Sequence, residues 1–208
     1  MEEVFDDFIG KFYTNDRIVA LGKLAAEHGW AFAKRARFAE QTTEIKHFKL
    51  FKGKRGKRVT GLCEIGLADT GSATRVYDYI YYSDGGKKKT TVIEVFVPDL
   101  FLTQFRIFPK PALKSLFQRS RNGDPALDLF DKHYQIETAD PAATDQEVPD
   151  SVLAMIAPEK GCTLEGAGQY LVFYKKHKQL PVSEILPAVD LVLNIADAVQ
   201  HDHEKDFV

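Results

Sequence analysis

Cysteine is scarce in this sequence. Cys63 and Cys162 are the only two, and they fall on different expected elements. Such a pair makes no disulfide framework, and each reads as a reduced thiol packed like a small hydrophobe. Long apolar runs are missing too. No stretch approaches the roughly 18 consecutive apolar residues that a membrane-crossing helix needs. The start, Met1-Glu2-Glu3-Val4-Phe5-Asp6-Asp7, is acidic and lacks the basic-then-apolar pattern of a secretory signal. The expected location is therefore the cytoplasm. Nor is one sign of charge in excess: 28 Lys+Arg against 30 Asp+Glu leave a net charge of -2. That balance removes any global pull toward nucleic acid or an anionic membrane.

Catalytic signatures are also lacking. There is no Gly-x-Ser-x-Gly elbow, no Cys/His pair with supporting sequence and no paired carboxylates. Gly53-x-x-Gly56-Lys57-Arg58 is too short for a Walker loop and has no strand-loop-helix around it. His201-Asp202-His203-Glu204 gathers four possible metal ligands, but in a polar tail with nothing to preorganise them. No catalytic, cofactor-binding or metal residue is assigned and no cofactor is expected; missing motifs do not exclude an enzyme, since triads assemble from distant positions, but a non-enzyme is the leading reading.

What is present is a core. The chain is 44% hydrophobic and 12% aromatic over 208 residues. A chain of that size buries about 70% of its unfolded surface and needs no disulfide or metal staple. Residues 1–14 form an amphipathic arm, with Phe5, Phe8, Ile9 and Phe12 at helical spacing. A helix is expected over 16–28, with Asn15 as its cap, Ile18, Leu21, Leu24 and Ala25 as its stripe, and Gly29 as its stop. Trp30 and Phe32 then open an extended segment.

Between 48 and 108 the period changes to two. Val59, Gly61, Cys63, Ile65 and Leu67 share one parity of a strand. A strand over 75–82 puts Tyr77, Tyr79 and Tyr81 on one face and Val76, Asp78 and Ile80 on the other. Ser83-Asp84-Gly85-Gly86 is a hairpin turn, because glycine accepts positive φ. Strands over 88–97 and 101–108 follow, and short turns between them imply an antiparallel sheet. A short helix is expected over 111–121, broken by Asn122-Gly123-Asp124-Pro125. After it come a strand over 133–138, a polar linker over 139–147 and a helix over 149–157. A hairpin about Gly168 and a long helix over 183–200, capped by Ser183, close the chain.

The expected fold is α+β: a curved antiparallel sheet with helices packed on one face and a long C-terminal helix. Residues 15–138 supply the first helix and most of the sheet. Residues 148–200 complete the same domain, and 201–208 form a polar tail.

The strongest local anomaly is basic. Residues 34–58 hold ten cations, Lys34, Arg35, Arg37, Lys46, Lys49, Lys52, Lys54, Arg55, Lys57 and Arg58, against Glu40 and Glu44. The tip Gly53 to Arg58 reads as an exposed turn between two strands, and Lys87, Lys88 and Lys89 add a second basic hairpin end. Brought together, the two ends can attract an acidic protein or phosphates. Lysines also guard exposed strand edges, so a purely solvated edge fits the same pattern. The row Tyr77, Tyr79, Tyr81 is a candidate aromatic surface, either a stacking platform or packing beneath a helix. Asp78 lies on apolar parity and needs a buried partner, for which Arg75 or a neighbouring lysine is the candidate.

Several stretches together carry a resemblance. They are Ala25-Ala26-Glu27-His28-Gly29-Trp30-Ala31-Phe32, the Gly53 to Arg58 turn with Val59, and Val76-Tyr77-Asp78-Tyr79-Ile80-Tyr81. The Gly-Lys hairpin into Thr91-Val92, Phe105-Arg106-Ile107-Phe108-Pro109 and Phe130-Asp131-Lys132-His133-Tyr134 complete the set. Over about two thirds of its length the chain resembles a bacterial family of uncharacterised proteins, a domain of unknown function. The resemblance implies bacterial origin and transfers no catalytic residue. The order of elements is also similar to that of secretion-chaperone-like folds.

The leading expectation is a non-enzymatic protein-binding or scaffolding module of the bacterial cytoplasm. Its partner would be another protein, or a second copy through Phe5, Phe8, Ile9 and Phe12. A second reading is a binder of anionic ligands, nucleic acid or lipid headgroups, through Lys54, Arg55, Lys57, Arg58 and Lys87, Lys88, Lys89. Nucleic acid is disfavoured, because no RNP-like or helix-turn-helix pattern is present. A third is an enzyme with a pocket near Asp78.

Overall fold

The period-two centre of the chain folds as a run of antiparallel hairpins, and period-3.6 segments pack across it. The structure is a computed structural model that describes residues 16–38, 44–67, 71–83, 85–111 and 124–205. In chain order the elements are α1 (Asp16–Glu27), β1 (Ala31–Ala36), β2 (Arg55–Leu67), β3 (Ser72–Ser83), β4 (Gly86–Phe96) and β5 (Leu102–Pro109). Then come α2 (Pro125–His133), β6 (Tyr134–Thr138), α3 (Pro141–Glu147), α4 (Asp150–Ile156), β7 (Cys162–Gly168), β8 (Tyr170–Lys175) and α5 (Ile185–Lys205). The strands form one 8-stranded sheet in the order β1-β2-β3-β4-β8-β7-β5-β6, and every pairing is antiparallel. The expected α+β fold, with its antiparallel sheet and long last helix, is the fold found. The arm of Phe5, Phe8, Ile9 and Phe12 and most of the helix expected over 111–121 lie outside the described residues.

Each face of the sheet has its own cover. On one face Val76, Ile93, Phe105, Ile107, Leu164 and Phe173 pack against the helices, through Leu21 and Leu24 of α1, Val152 and Ile156 of α4, and Val189, Val192 and Ile195 of α5. On the other face Tyr77, Tyr79, Tyr81, Val92, Tyr170, Val172 and Tyr174 lie beneath the connection 37–54. Phe48 and Phe51 of that connection are both 0% exposed. Burial of each contributes about 1.5–3 kcal/mol to holding the connection down. A short 3-10 turn, Glu44–His47, precedes them.

The strand parity expected for β2 fails at one residue. Val59 packs on the tyrosine face, whereas Cys63 packs on the helical face. The pairing of β2 with β3 shifts between Thr60 and Cys63, and Gly61 between them has φ 62. This is a bulge with glycine in the left-handed region, which flips the alternation. A Cβ at Gly61 would sit 2.5 Å from Leu21 Cδ1, so the bulge also lets α1 settle directly on the strand.

Two helices occupy stretches read as breaker and linker. α2 starts at Pro125 with Asp124 accepting a hydrogen bond from the Ala126 amide, and α3 starts at Pro141 with Asp140 accepting from Ala143. In each case aspartate caps the helix and proline takes the first turn, where a missing N–H costs nothing. The linker expectation for 139–147 is therefore corrected to a capped helix. Its buried contacts are polar: Thr144 bonds Thr138 Oγ1 at 2.8 Å, and Glu147 accepts from the Thr103 amide at 2.7 Å and its hydroxyl at 2.8 Å. Among the described residues no helix is long and apolar enough to cross a membrane.

Candidate cationic binding surface

Strand register assembles the basic residues. Arg55 stands opposite Tyr82 and Arg58 opposite Ile80, while Tyr82 faces Lys87, Tyr81 faces Lys88 and Ile80 faces Lys89. Neighbouring strands run about 4.8 Å apart, so Arg58 and Lys89 flank β3 at a backbone separation of roughly 10 Å. The two basic ends proposed from the sequence therefore meet at one end of the sheet, with Lys88 on the Tyr81 side beside Lys54 and Lys57, and Arg58, Lys87 and Lys89 on the side of Ile80 and Tyr82. The basic stretch is corrected in one respect: only Gly53 and Lys54 lie in a turn, and Arg55 to Arg58 are already inside β2.

A third basic segment joins them from far along the chain. After β8 the turn 176–178 is pinned to β4, with the His177 amide donating to Thr90 Oγ1 at 3.1 Å and the Thr91 amide to the Lys178 carbonyl at 3.1 Å. Lys176, Lys88 and Lys54 all help to hold the His177 imidazole below its usual pKa, after the larger effect of burial. His177 also has φ 60, the one positive φ outside glycine among the described residues. Histidine is among the residues that enter this region more readily than most, which lets the chain turn sharply here. The sequence reading missed this segment, although the run Lys175-Lys176-His177-Lys178 was its visible signal.

Aromatic rings support the cations from below. Lys54 Nζ lies 5.6 Å from the Tyr81 ring centre, and Lys57 Nζ lies 4.8 Å from that of Phe38. Burial and the nearby Lys46 both lower the Lys57 pKa. A shallow cavity of about 210 Å³ is lined by Gly53, Lys54, Arg55, Tyr82 and Ser83, with Tyr82 50% exposed. Gly56 makes room for that ring, since a Cβ there would meet Tyr82 at 2.7 Å. Among the described residues Lys54, Arg55, Lys57, Arg58, Lys87, Lys88 and Lys89 form no salt bridge, unlike Arg17, Lys49, Arg75, Arg106 and Lys175. Asp84 of the hairpin turn lies outside the described residues.

The tyrosine row is not a surface. Tyr77, Tyr79 and Tyr81 are 0%, 0% and 1% exposed, so they cannot serve as a stacking platform. They pack beneath the connection 37–54, with Tyr79 ring centres 5.0 Å from Phe51 and 4.9 Å from Tyr81. The Tyr77 hydroxyl donates to Glu94 at 3.0 Å, and Arg75 approaches the same carboxylate at 3.4 Å. Burial raises the Glu94 pKa, and Arg75 partly offsets it. Glu165 is likewise committed, accepting from Tyr174 at 2.7 Å and from the Lys49 and Leu50 amides at 2.7 and 3.1 Å. It clips the 37–54 connection to the far side of the sheet.

Asp78 finds a partner other than those expected. Arg75 is taken by Glu64 and Glu94, and the cation on Asp78 is Arg17 of α1. Arg17 Nε and Nη2 donate to the two carboxylate oxygens at 2.5 and 3.0 Å, Thr91 donates at 2.8 Å and Gln179 at 2.7 Å. With four donors on two oxygens and 2% exposure, the carboxylate has no lone pair left for chemistry. Arg17 also donates to the Leu180 carbonyl at 2.6 Å, so the knot ties three distant parts of the chain. Cys63 and Cys162 are both buried free thiols, each pushed up to about 11 chiefly by burial. Among the described residues no group of three or more His, Cys, Asp or Glu gathers as a metal site.

Fold and site together describe an antiparallel-sheet protein whose buried carboxylates are spent on structure and whose cations at 54–58 and 87–89 form no salt bridge among the described residues. No family model and no curated protein matches the chain. Among solved structures it is similar to a mycobacterial trehalose monomycolate transport factor A, with a TM-score of 0.55 and 10% identity over 86% of this chain and 93% of that one. At that identity the likeness is one of fold.

Proposed function

We propose that this chain is a non-enzymatic binding module whose working surface is the cationic end and whose partner is an acidic protein. One observation carries the reading: residues 54–58 and 87–89 meet at one end of the sheet, and among the described residues none of Lys54, Arg55, Lys57, Arg58, Lys87, Lys88 and Lys89 has a salt bridge. Like charges held together cost free energy unless a partner of opposite sign relieves it. An acidic protein is favoured over nucleic acid because Tyr77, Tyr79 and Tyr81 are buried, which leaves Tyr82 as a single exposed ring on β3 rather than a row on which successive bases stack. The transport factor of similar fold agrees with a binding role and adds no residue to it. Membership of the bacterial family that the sequence resembles belongs to the same proposal, as does a cytoplasmic setting.

The test compares polyglutamate, duplex DNA and phosphatidylserine vesicles as probes, titrated with salt. Polyglutamate is expected to bind, to weaken as salt shortens the Debye length, and to lose at least tenfold when Lys54, Arg55, Lys57 and Arg58 are replaced by serine. Unchanged affinity in that variant refutes the surface. Tighter binding of DNA or vesicles replaces the acidic protein with a phosphate-bearing ligand.

A further inference from the structure

Strand β1 is the open edge of the sheet on the side of the cationic end. Among the described residues it lies last in the strand order and pairs with β2 alone. Its register sets Ala36 opposite Val59, so the strand runs directly toward Arg58. Ala31, Ala33, Lys34 and Arg35 are exposed. An edge of this kind offers a row of backbone donors and acceptors to another extended chain. Natural sheets blunt such edges with lysine and other charges, proline or bulges. β1 has no proline and carries alanine at three of its six positions, so its guards are the charges Lys34 and Arg35, which act by sign rather than by blocking the backbone.

Its charge decides who can approach. A second copy adding through its own β1 brings Lys34 and Arg35 against like charges, which destabilises directly opposed cross-strand pairs. An acidic strand meets the same residues favourably, and Arg37 and Arg58 extend the row. Apolar recognition is present beside it. Phe32 of β1 packs under Gly22 of α1, where a Cβ would lie 3.1 Å from the ring. Val19, one turn earlier on the same stripe of α1, is 42% exposed. An added strand would turn alternate side chains toward this Val19 and Phe32 ledge, because strand side chains alternate in direction.

We infer that β1 accepts an extended acidic segment of the partner as a ninth strand, with alternate acidic and apolar side chains. This rests on the cationic end being the working surface, and it specifies how the partner is held. Backbone hydrogen bonds supply affinity and the flanking charges select the sign.

The probes are a short synthetic peptide alternating glutamate with valine, and the same peptide N-methylated at alternate residues. The unmodified peptide is expected to bind and to slow amide exchange at least tenfold within residues 31–36. N-methylation keeps every charge and removes the donors, so it is expected to weaken binding at least tenfold. The surface variant Lys34→Glu/Arg35→Glu should lose this peptide and gain a lysine–valine one. Equal binding of the N-methylated peptide overturns strand addition and leaves the cationic surface standing. Failure of both peptides and of polyglutamate overturns the surface itself. Concentration-dependent protection of 31–36 without peptide also overturns the inference, since it means that the edge takes a second copy.

Discussion

Removing the Asp78 carboxylate tests the reading of that residue as a structural knot. In Asp78→Ala four donors lose their acceptor: two from Arg17, one from Thr91 and one from Gln179. Breaking a buried ion pair by deleting one partner costs about 3–5 kcal/mol. Arg17 keeps the Leu180 carbonyl, and its side chain is 18% exposed, so water recovers part of its solvation. The expected loss is therefore at the lower end, about 3 kcal/mol. With a urea m-value of about 2 kcal/mol/M, the midpoint falls by about 1.5 M at unchanged slope. A cycle with Arg17→Met and Asp78→Asn should return a coupling above about 1 kcal/mol, because the two side chains touch. The knot joins α1, β3, β4 and the segment before α5, so one transition should be seen by all probes. A loss below about 1 kcal/mol, or a coupling near zero, refutes the assignment and reopens Asp78 as a group available for chemistry.

Gly61→Ala forces a side chain into the left-handed region and against Leu21, 2.5 Å away. It should cost about 2–4 kcal/mol in urea unfolding, and a loss below about 1 kcal/mol shows that the bulge is not required. His177 reports on the cationic end. Its folded pKa is lowered, so below the unfolded value of 6.5 the unfolded chain binds the proton more readily. Its contribution to stability is thus fully present above pH 6.5 and declines as pH falls through the folded pKa. Lys88→Gln and high salt should each raise the imidazole pKa in an NMR titration, and so should a docked acidic peptide. An imidazole indifferent to all three is not surrounded by these lysines.

The sequence told most where neighbours in space are neighbours along the chain. The β3–β4 hairpin was readable from Ser83-Asp84-Gly85-Gly86 and alternating residues, and its register alone fixes where Lys87, Lys88 and Lys89 stand relative to Tyr82 and Ile80. The stop of α1 at Gly29, whose φ is 68, was equally local. What escaped was of two kinds. Asp124-Pro125 reads as a break and Asp140-Pro141 as part of a linker, although the same pair of residues is a cap and a first-turn proline. Nothing apolar announced α3, because its buried side chains are Thr144 and Glu147. Other misses were nonlocal. That Arg17 would reach Asp78, or that residues 176–178 would join Lys54 and Lys88, depends on β8 lying beside β4. Hydrophobic periodicity carries no information about that adjacency. Gly61 was the intermediate case: a glycine inside a strand signals a bulge, and it was read instead as one more alternating position.

The placement of β7 and β8 governs how the chain reaches its final form during synthesis. Between β4 and β5, which are joined by only a few residues, the sheet is bridged by the β7–β8 hairpin, made from residues more than fifty positions further along the chain. Until residues 162–175 emerge, β4 and β5 are each without the neighbour that later separates them. A nascent chain therefore carries two unfilled borders side by side, both built from β-branched and aromatic residues. The middle of the sheet cannot close before residues 162–175 are made, and such non-local pairing predisposes the protein to slow folding and makes any shortened product ending before residue 162 prone to aggregate.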